Sequence, residues 1–180
     1  MDAVEHRTST QNTEQDNGTT TARQGAGGAV EVMGMVLRVA GPVVCRVDMQ
    51  FAGTPERQLG LSMGTVLIYL RSHYTAVKIA RAWSSAAPLA ASLAPVLTGP
   101  RRGVMAPTGP WSTATMVRLN GSPSVTGGLI EPVAGTEATR MLRMRVGPLV
   151  WELCDGAAFA ATVKGWKLAA DMLAVDSDDT

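Results

Sequence analysis

Apolar and polar residues alternate in short runs through two stretches of the chain, and each stretch ends where the spacing lengthens to three and four. In the first, Val32 to Val39 precedes a Gly41-Pro42 turn, after which Val43, Cys45, Val47, Met49 and Phe51 alternate with Val44, Arg46, Asp48 and Gln50. This is the pattern of strands with one buried face. Beyond the turn Gly53-Thr54-Pro55-Glu56, Leu59, Leu61 and Met63 alternate with Gln58, Gly60 and Ser62, and after Gly64 the inward set continues as Val66, Ile68 and Leu70. A glycine between two alternating runs predicts a tight hairpin, because glycine adopts a positive φ without steric cost. Ser72 is placed to cap a helix, in which Ala76, Ile79, Ala80, Trp83 and Ala87 make an apolar stripe.

The second stretch repeats this order. Gly64 to Trp83 and Gly147 to Trp166 align without a gap: Leu149, Trp151 and Leu153 answer Val66, Ile68 and Leu70, and Asp155 answers Ser72 as helix cap. Phe159, Thr162, Val163 and Trp166 answer Ala76, Ile79, Ala80 and Trp83, while Leu142, Met144 and Val146 answer Leu59, Leu61 and Met63. Upstream, Met116 to Leu119 answers Val36 to Val39. The shifts between copies fall in turns, where insertions are tolerated, and not in strands, where a one-residue slip would turn every side chain over.

The expected fold is therefore α+β: a tandem duplication of a ββββα-like unit, antiparallel sheets with one C-terminal helix each, arranged about a pseudo-twofold axis. Gly64, Gly147, Ser72, Asp155, Trp83 and Trp166 are its structural residues, with the two tryptophans read as anchors of helix on sheet. The expected divisions are a disordered tail at 1–30, repeat 1 at 31–87, an Ala/Pro/Gly-rich linker at 88–114, repeat 2 at 115–174 and an acidic tail at 175–180. Trp111 stands alone in the linker as an anchor on the body.

Charge sharpens this division. Residues 1–30 carry a net −2 and the last ten −4, so the overall +1 leaves +7 on residues 31–170. A basic body between acidic ends suits an anionic partner, and equally a merely soluble protein. Cys45 and Cys154 lack the spacing of a disulfide framework or zinc site, and no apolar run reaches a spanning length. The expectations are a cytoplasmic protein without a membrane role, metal or cofactor.

Catalytic chemistry finds little material. The two histidines are His6 in the tail and His73 at a helix start, and His73 is answered by Gly156 in the second copy. The acids of the body (Glu31, Asp48, Glu56, Glu131, Glu137, Glu152 and Asp155) are assigned to turns, caps and exposed strand faces. No catalytic residue is nominated, and the expected protein is not an enzyme; an enzyme with an unrecognised site at the repeat interface stands as the third reading.

Strand parity places Arg38, Arg46, Arg71, Arg118, Arg143 and Arg145 on polar sheet faces, with Tyr69 the one aromatic beside them. Such a row can neutralise phosphates without reading sequence, or it can simply be a solvated face. The first expectation is a non-catalytic binding or regulatory module contacting nucleic-acid backbone. The alternative is a protein-interaction or scaffold module, homo- or hetero-oligomeric, using an open sheet or its edges. In topology, two successive strand-strand-strand-strand-helix units are similar to the Whirly and PUR single-strand nucleic-acid-binding folds; the resemblance lies in element order rather than in any residue motif, and it implies the first of these partners.

Overall fold

The computed structural model describes residues 34–97, 114–132, 134–135 and 139–175, all within the compact unit Val32–Thr180. The tail 1–30, Trp111 with the central part of the linker, and residues 176–180 lie outside the described residues. The strands are β1 (Met35–Val39), β2 (Cys45–Gln50), β3 (Gln58–Met63), β4 (Val66–Leu70), β5 (Thr115–Leu119), β6 (Val125–Ile130), β7 (Met141–Val146) and β8 (Leu149–Leu153). Among the described residues three helices accompany them: α1 (His73–Ser85), α2 (Ala87–Ala90) and α3 (Gly156–Val175).

The hairpins form where the glycines require. Gly64 (φ 60°) and Gly147 (φ 56°) open two-residue turns between β3 and β4 and between β7 and β8, and a positive φ at the first central residue matches the right-handed twist of the flanking strands. Inward residues follow the period of two: Leu59, Leu61, Ile68, Leu70, Leu142, Val146 and Leu153 are completely buried.

The sheets themselves are mixed, not antiparallel as the alternation suggested. One has the order β1-β8-β7-β6 and the other β2-β3-β4-β5. In the first, Met35 to Val39 run parallel to Leu149 to Leu153; in the second, Val66 to Leu70 run parallel to Thr115 to Leu119. Each leading strand, β1 and β5, pairs with the sheet of the other stretch and not with the hairpin that follows it. At Gly41 (φ 72°) the chain swings out of the first sheet. The exit is held from the far end of the sequence, where Cys154 N donates to Val39 O at 2.9 Å and Gly41 N donates to Asp155 Oδ2 at 2.9 Å. A pairing between residues 114 apart leaves no local trace in the alternation.

The helices lie on the inward faces, and α1 also packs along α3. Ser72 Oγ accepts from Thr75 N and Asp155 Oδ1 from Ala158 N, so both expected caps form. The stripe of α1 ends on buried Ala86 rather than Ala87, because the helix stops at Ser85 and a separate turn containing Pro88 begins. Phe51 also departs from the reading: β2 ends at Gln50, and Phe51, at φ 55°, turns outward and is 61% exposed. Gly165 sits in the interior of α3, where glycine costs about 1 kcal/mol relative to alanine. A Cβ there would come within 2.9 Å of Cys45 Sγ, so the glycine permits the close approach of α3 to β2.

Trp83 of α1 meets Trp166 and Phe159 of α3 at ring-centroid distances of 6.5 and 6.4 Å, and Trp151 of β8 edge-on at 6.0 Å. The repeated tryptophans thus join helix to helix at the centre of the core, a stronger role than anchoring each helix to its own sheet.

Candidate functional site

The inward set fixes what faces out. On the first sheet the outward residues are Val36 and Arg38 of β1, Val150 and Glu152 of β8, Met141, Arg143 and Arg145 of β7, and Thr126, Gly128 and Ile130 of β6. On the second they include Arg46 and Asp48 of β2, Gly60 of β3, Leu67 and Tyr69 of β4, and Met116 and Arg118 of β5. The six arginines do not form one row. Arg38, Arg143 and Arg145 share the first face and Arg46 and Arg118 the second, while Arg71 lies past the end of β4, donating through Nη2 to Pro55 O.

The first face carries three arginines against one glutamate, a net +2, and its centre is organised around that glutamate. Glu152 is buried, with 3% of its surface exposed; the reading of it as an exposed strand residue is corrected here. Its Oε1 accepts from Arg143 Nη2 at 2.6 Å, and its Oε2 accepts from Arg38 Nη2 at 2.7 Å and Nε at 3.0 Å. Hydrogen bonding from Arg143, and then from Arg38, holds the Glu152 carboxyl below the usual carboxylate range against the opposing effect of burial. The carboxylate thereby fixes guanidinium groups on both neighbouring strands while leaving each about half exposed (42% for Arg38, 53% for Arg143). Parity in the sequence gave the correct face for Glu152, but only the β1–β8 pairing supplies Arg38.

Beside this group lies a groove of about 350 Å³, lined by Arg143, Arg145 and residues 126–130 of β6. Its floor is low because Gly128 carries no side chain, and a Cβ there would meet nothing within 4 Å.

The second face is built differently. Tyr69 occupies the place across from Arg118 that Glu152 occupies across from Arg38, and it leans over Gly60, where an added Cβ would lie 3.5 Å from its ring. Two arginines against Asp48 leave +1, beside the apolar Leu67 and Met116. Tyr69 is thus on a different sheet from the denser arginine group, so stacking and charge are not combined on one face.

A larger groove of about 540 Å³ runs between residues 42–45 and the Ala157, Ala160, Ala161, Lys164, Gly165 and Leu168 side of α3. Its lining is apolar apart from Lys164 and offers no converging polar groups. Cys45 faces it with a free thiol raised above its usual range by burial. The buried Cys154 thiol is pushed up to about 11, again chiefly by burial. Since the thiolate is the reactive form, a thiol reagent at pH 8 is expected to modify Cys45 slowly and Cys154 only after unfolding. Rapid modification of Cys154 in the native protein, followed by peptide mass spectrometry, would contradict the closed packing of its thiol beside Met141.

Among the described residues no group of three or more His, Cys, Asp or Glu is placed to hold a metal ion, and no helix is long and apolar enough to cross a membrane. No family model, no curated protein and no solved structure matches the chain.

Proposed function

We propose that the chain is a non-catalytic, intracellular module that binds nucleic-acid backbone through the outward face of the β1-β8-β7-β6 sheet. The observation that carries this reading is the Arg38–Glu152–Arg143 group. Three adjacent strands contribute to it, and a buried carboxylate holds two guanidiniums in place while each side chain stays about half exposed. Arg145 extends the group toward the groove above Gly128. Preorganised guanidiniums lose little further freedom on meeting phosphate and match its geometry in a bidentate way. Glu152, with both oxygens occupied and its proton affinity lowered, suits an anchor and not a proton donor. The free thiols of Cys45 and Cys154 suit a reducing compartment.

The architecture supports an origin by duplication with exchange of the first strands about a pseudo-twofold axis. Positions 35 and 115, like 45 and 125, are 80 apart, and their partners 149 and 66, and 63 and 146, are 83 apart. The two sheets therefore keep equivalent registers. On this reading the copies diverged on their outward faces, one acquiring Glu152 and its arginines and the other Tyr69.

Binding of a labelled single-stranded oligonucleotide tests the function. Affinity is expected to fall with salt with a log–log slope of about −2 if three arginines each neutralise one phosphate. The Arg143→Glu/Arg145→Glu variant should abolish binding, and Arg46→Glu/Arg118→Glu should reduce it far less. No binding at low salt, or unchanged binding by the first variant, would refute the proposal.

A further inference from the structure

The four sheet edges are not alike. β1 carries Arg38, β2 carries Arg46 and Asp48, and β5 carries Arg118, whereas β6, Val125-Thr-Gly-Gly-Leu-Ile130, carries no charge. Charged side chains are a common means by which proteins keep sheet edges from pairing. At the positions where β2 has Arg46, Val47 and Asp48, β6 has Thr126, Gly127 and Gly128, all exposed. The protecting side chains are missing from an otherwise equivalent strand.

The hydrogen-bond phase shows which groups this edge offers. Gly147 N donates to Ser124 O at 3.1 Å, and Ser124 stands opposite Gly147 by extension of the register that sets Val125 opposite Val146. Alternation in an antiparallel ladder then directs Thr126, Gly128 and Ile130 to β7 and leaves the N–H and C=O of Val125, Gly127 and Leu129 pointing away from the sheet. No partner for these groups occurs among the described residues.

We propose that this edge pairs with the β6 of a second copy of the chain, antiparallel, about a twofold axis through Gly127. The strand is complementary to itself in that register: Gly127 meets Gly127, Val125 meets Leu129, and Thr126 meets Gly128, so that each threonine enters the open space above the other copy's glycine. A twofold interface must be self-complementary in this way. Both copies then keep their helices on the same side, and the two four-stranded sheets become one of eight strands. Charge does not oppose the union. The arginines of the two β7 strands are three strand spacings apart, about 14 Å, beyond a Debye length of about 8–10 Å at physiological salt. The pairing itself does not rest on the nucleic-acid reading, although it would set two Arg38–Glu152–Arg143 groups on one face.

The test uses the full chain without nucleic acid. Sedimentation over a wide concentration range is expected to show a reversible monomer–dimer equilibrium. Hydrogen exchange at high concentration should protect the amides of Val125, Gly127 and Leu129, and dilution should expose them while Thr126, Gly128 and Ile130 stay protected by β7. Thr126→Lys/Gly128→Lys and Thr126→Glu/Gly128→Glu each place like charges opposite one another and should weaken the dimer about tenfold or more, whereas mixing the two variants should restore it. Both positions are exposed and Gly128 has room for a side chain, so these variants should fold. A wild-type chain monomeric at every concentration, a dimer indifferent to these variants, or no recovery on mixing overturns the proposal. A monomer whose Gly127 amide becomes protected only on adding a different protein likewise overturns it and assigns the edge to that protein.

Discussion

Trp83→Ala is expected to destabilise the protein by about 3–5 kcal/mol, the cost of emptying a large aromatic site in a closed core. Trp83 is fully buried and is the one ring that touches all three of the others, Trp151, Phe159 and Trp166. Removing it opens a cavity where α1, α3 and β8 meet, and those elements can collapse inward only by giving up strand register or helix packing. In a unit of this size each kcal/mol is worth about 2–4 °C, so the midpoint should fall by about 6–20 °C. The indole N–H groups of Trp83, Trp151 and Trp166 find no hydrogen-bond partner among the described residues, and a buried unpaired donor costs about 1–3 kcal/mol. Trp83→Phe discards that donor while keeping much of the ring, and should be far milder than alanine. Thermal unfolding followed by circular dichroism measures both; equal and small effects would mean that the cluster is loosely filled.

The cluster shows what could be read from the chain and what could not. Each tryptophan closes an amphipathic helix beside apolar residues at helical spacing, so its burial follows from position alone. What each ring touches depends on how the two helices cross, which no period records. The strands divide in the same way. Alternation assigned Leu59, Leu61, Leu142 and Val146 to the core and Arg143 and Arg145 to the outside, because parity is local to a strand. It could not place β1 beside β8, since that choice is decided by contacts more than a hundred residues apart. The candidate site inherits the difference: the arginines were legible as outward residues, but their anchor was not, because Glu152 acquires Arg38 only through that pairing. Phe51 and Arg71 were misplaced for a simpler reason. Alternation in the sequence continued past the last paired residue: Phe51 enters a turn at positive φ, and Arg71 falls between the end of β4 and the start of α1.

Asp155→Ala is expected to cost about 3–5 kcal/mol, well beyond the roughly 1 kcal/mol of an ordinary helix cap. The carboxylate is completely buried and gathers backbone donors from three segments: Ala158 N at 2.7 Å in the first turn of α3, Gly41 N at 2.9 Å where the chain leaves β1, and Leu97 N at 3.1 Å after α2. Two further bonds, Gly156 N to Ala94 O and Ala157 N to Pro95 O, seat the same segment on the helix start. Alanine would strand the buried Gly41 and Ala158 donors away from water and release the part-buried Leu97 N. Serine separates the contributions. Ser72 caps α1 with a single hydroxyl at the matching position, so Asp155→Ser should retain the cap and lose the arms to Gly41 and Leu97. The gap between Asp155→Ser and Asp155→Ala then measures the cap, and the gap between wild type and Asp155→Ser measures the tie that holds β1 across the second stretch. If Asp155→Ser proves as stable as wild type in denaturant unfolding, that tie contributes nothing, and β1 is held by the β1–β8 ladder alone. If instead it loses most of what alanine loses, a single carboxylate is what distinguishes the capping of α3 from that of α1, and the exit from β1 is joined to the start of α3 through it.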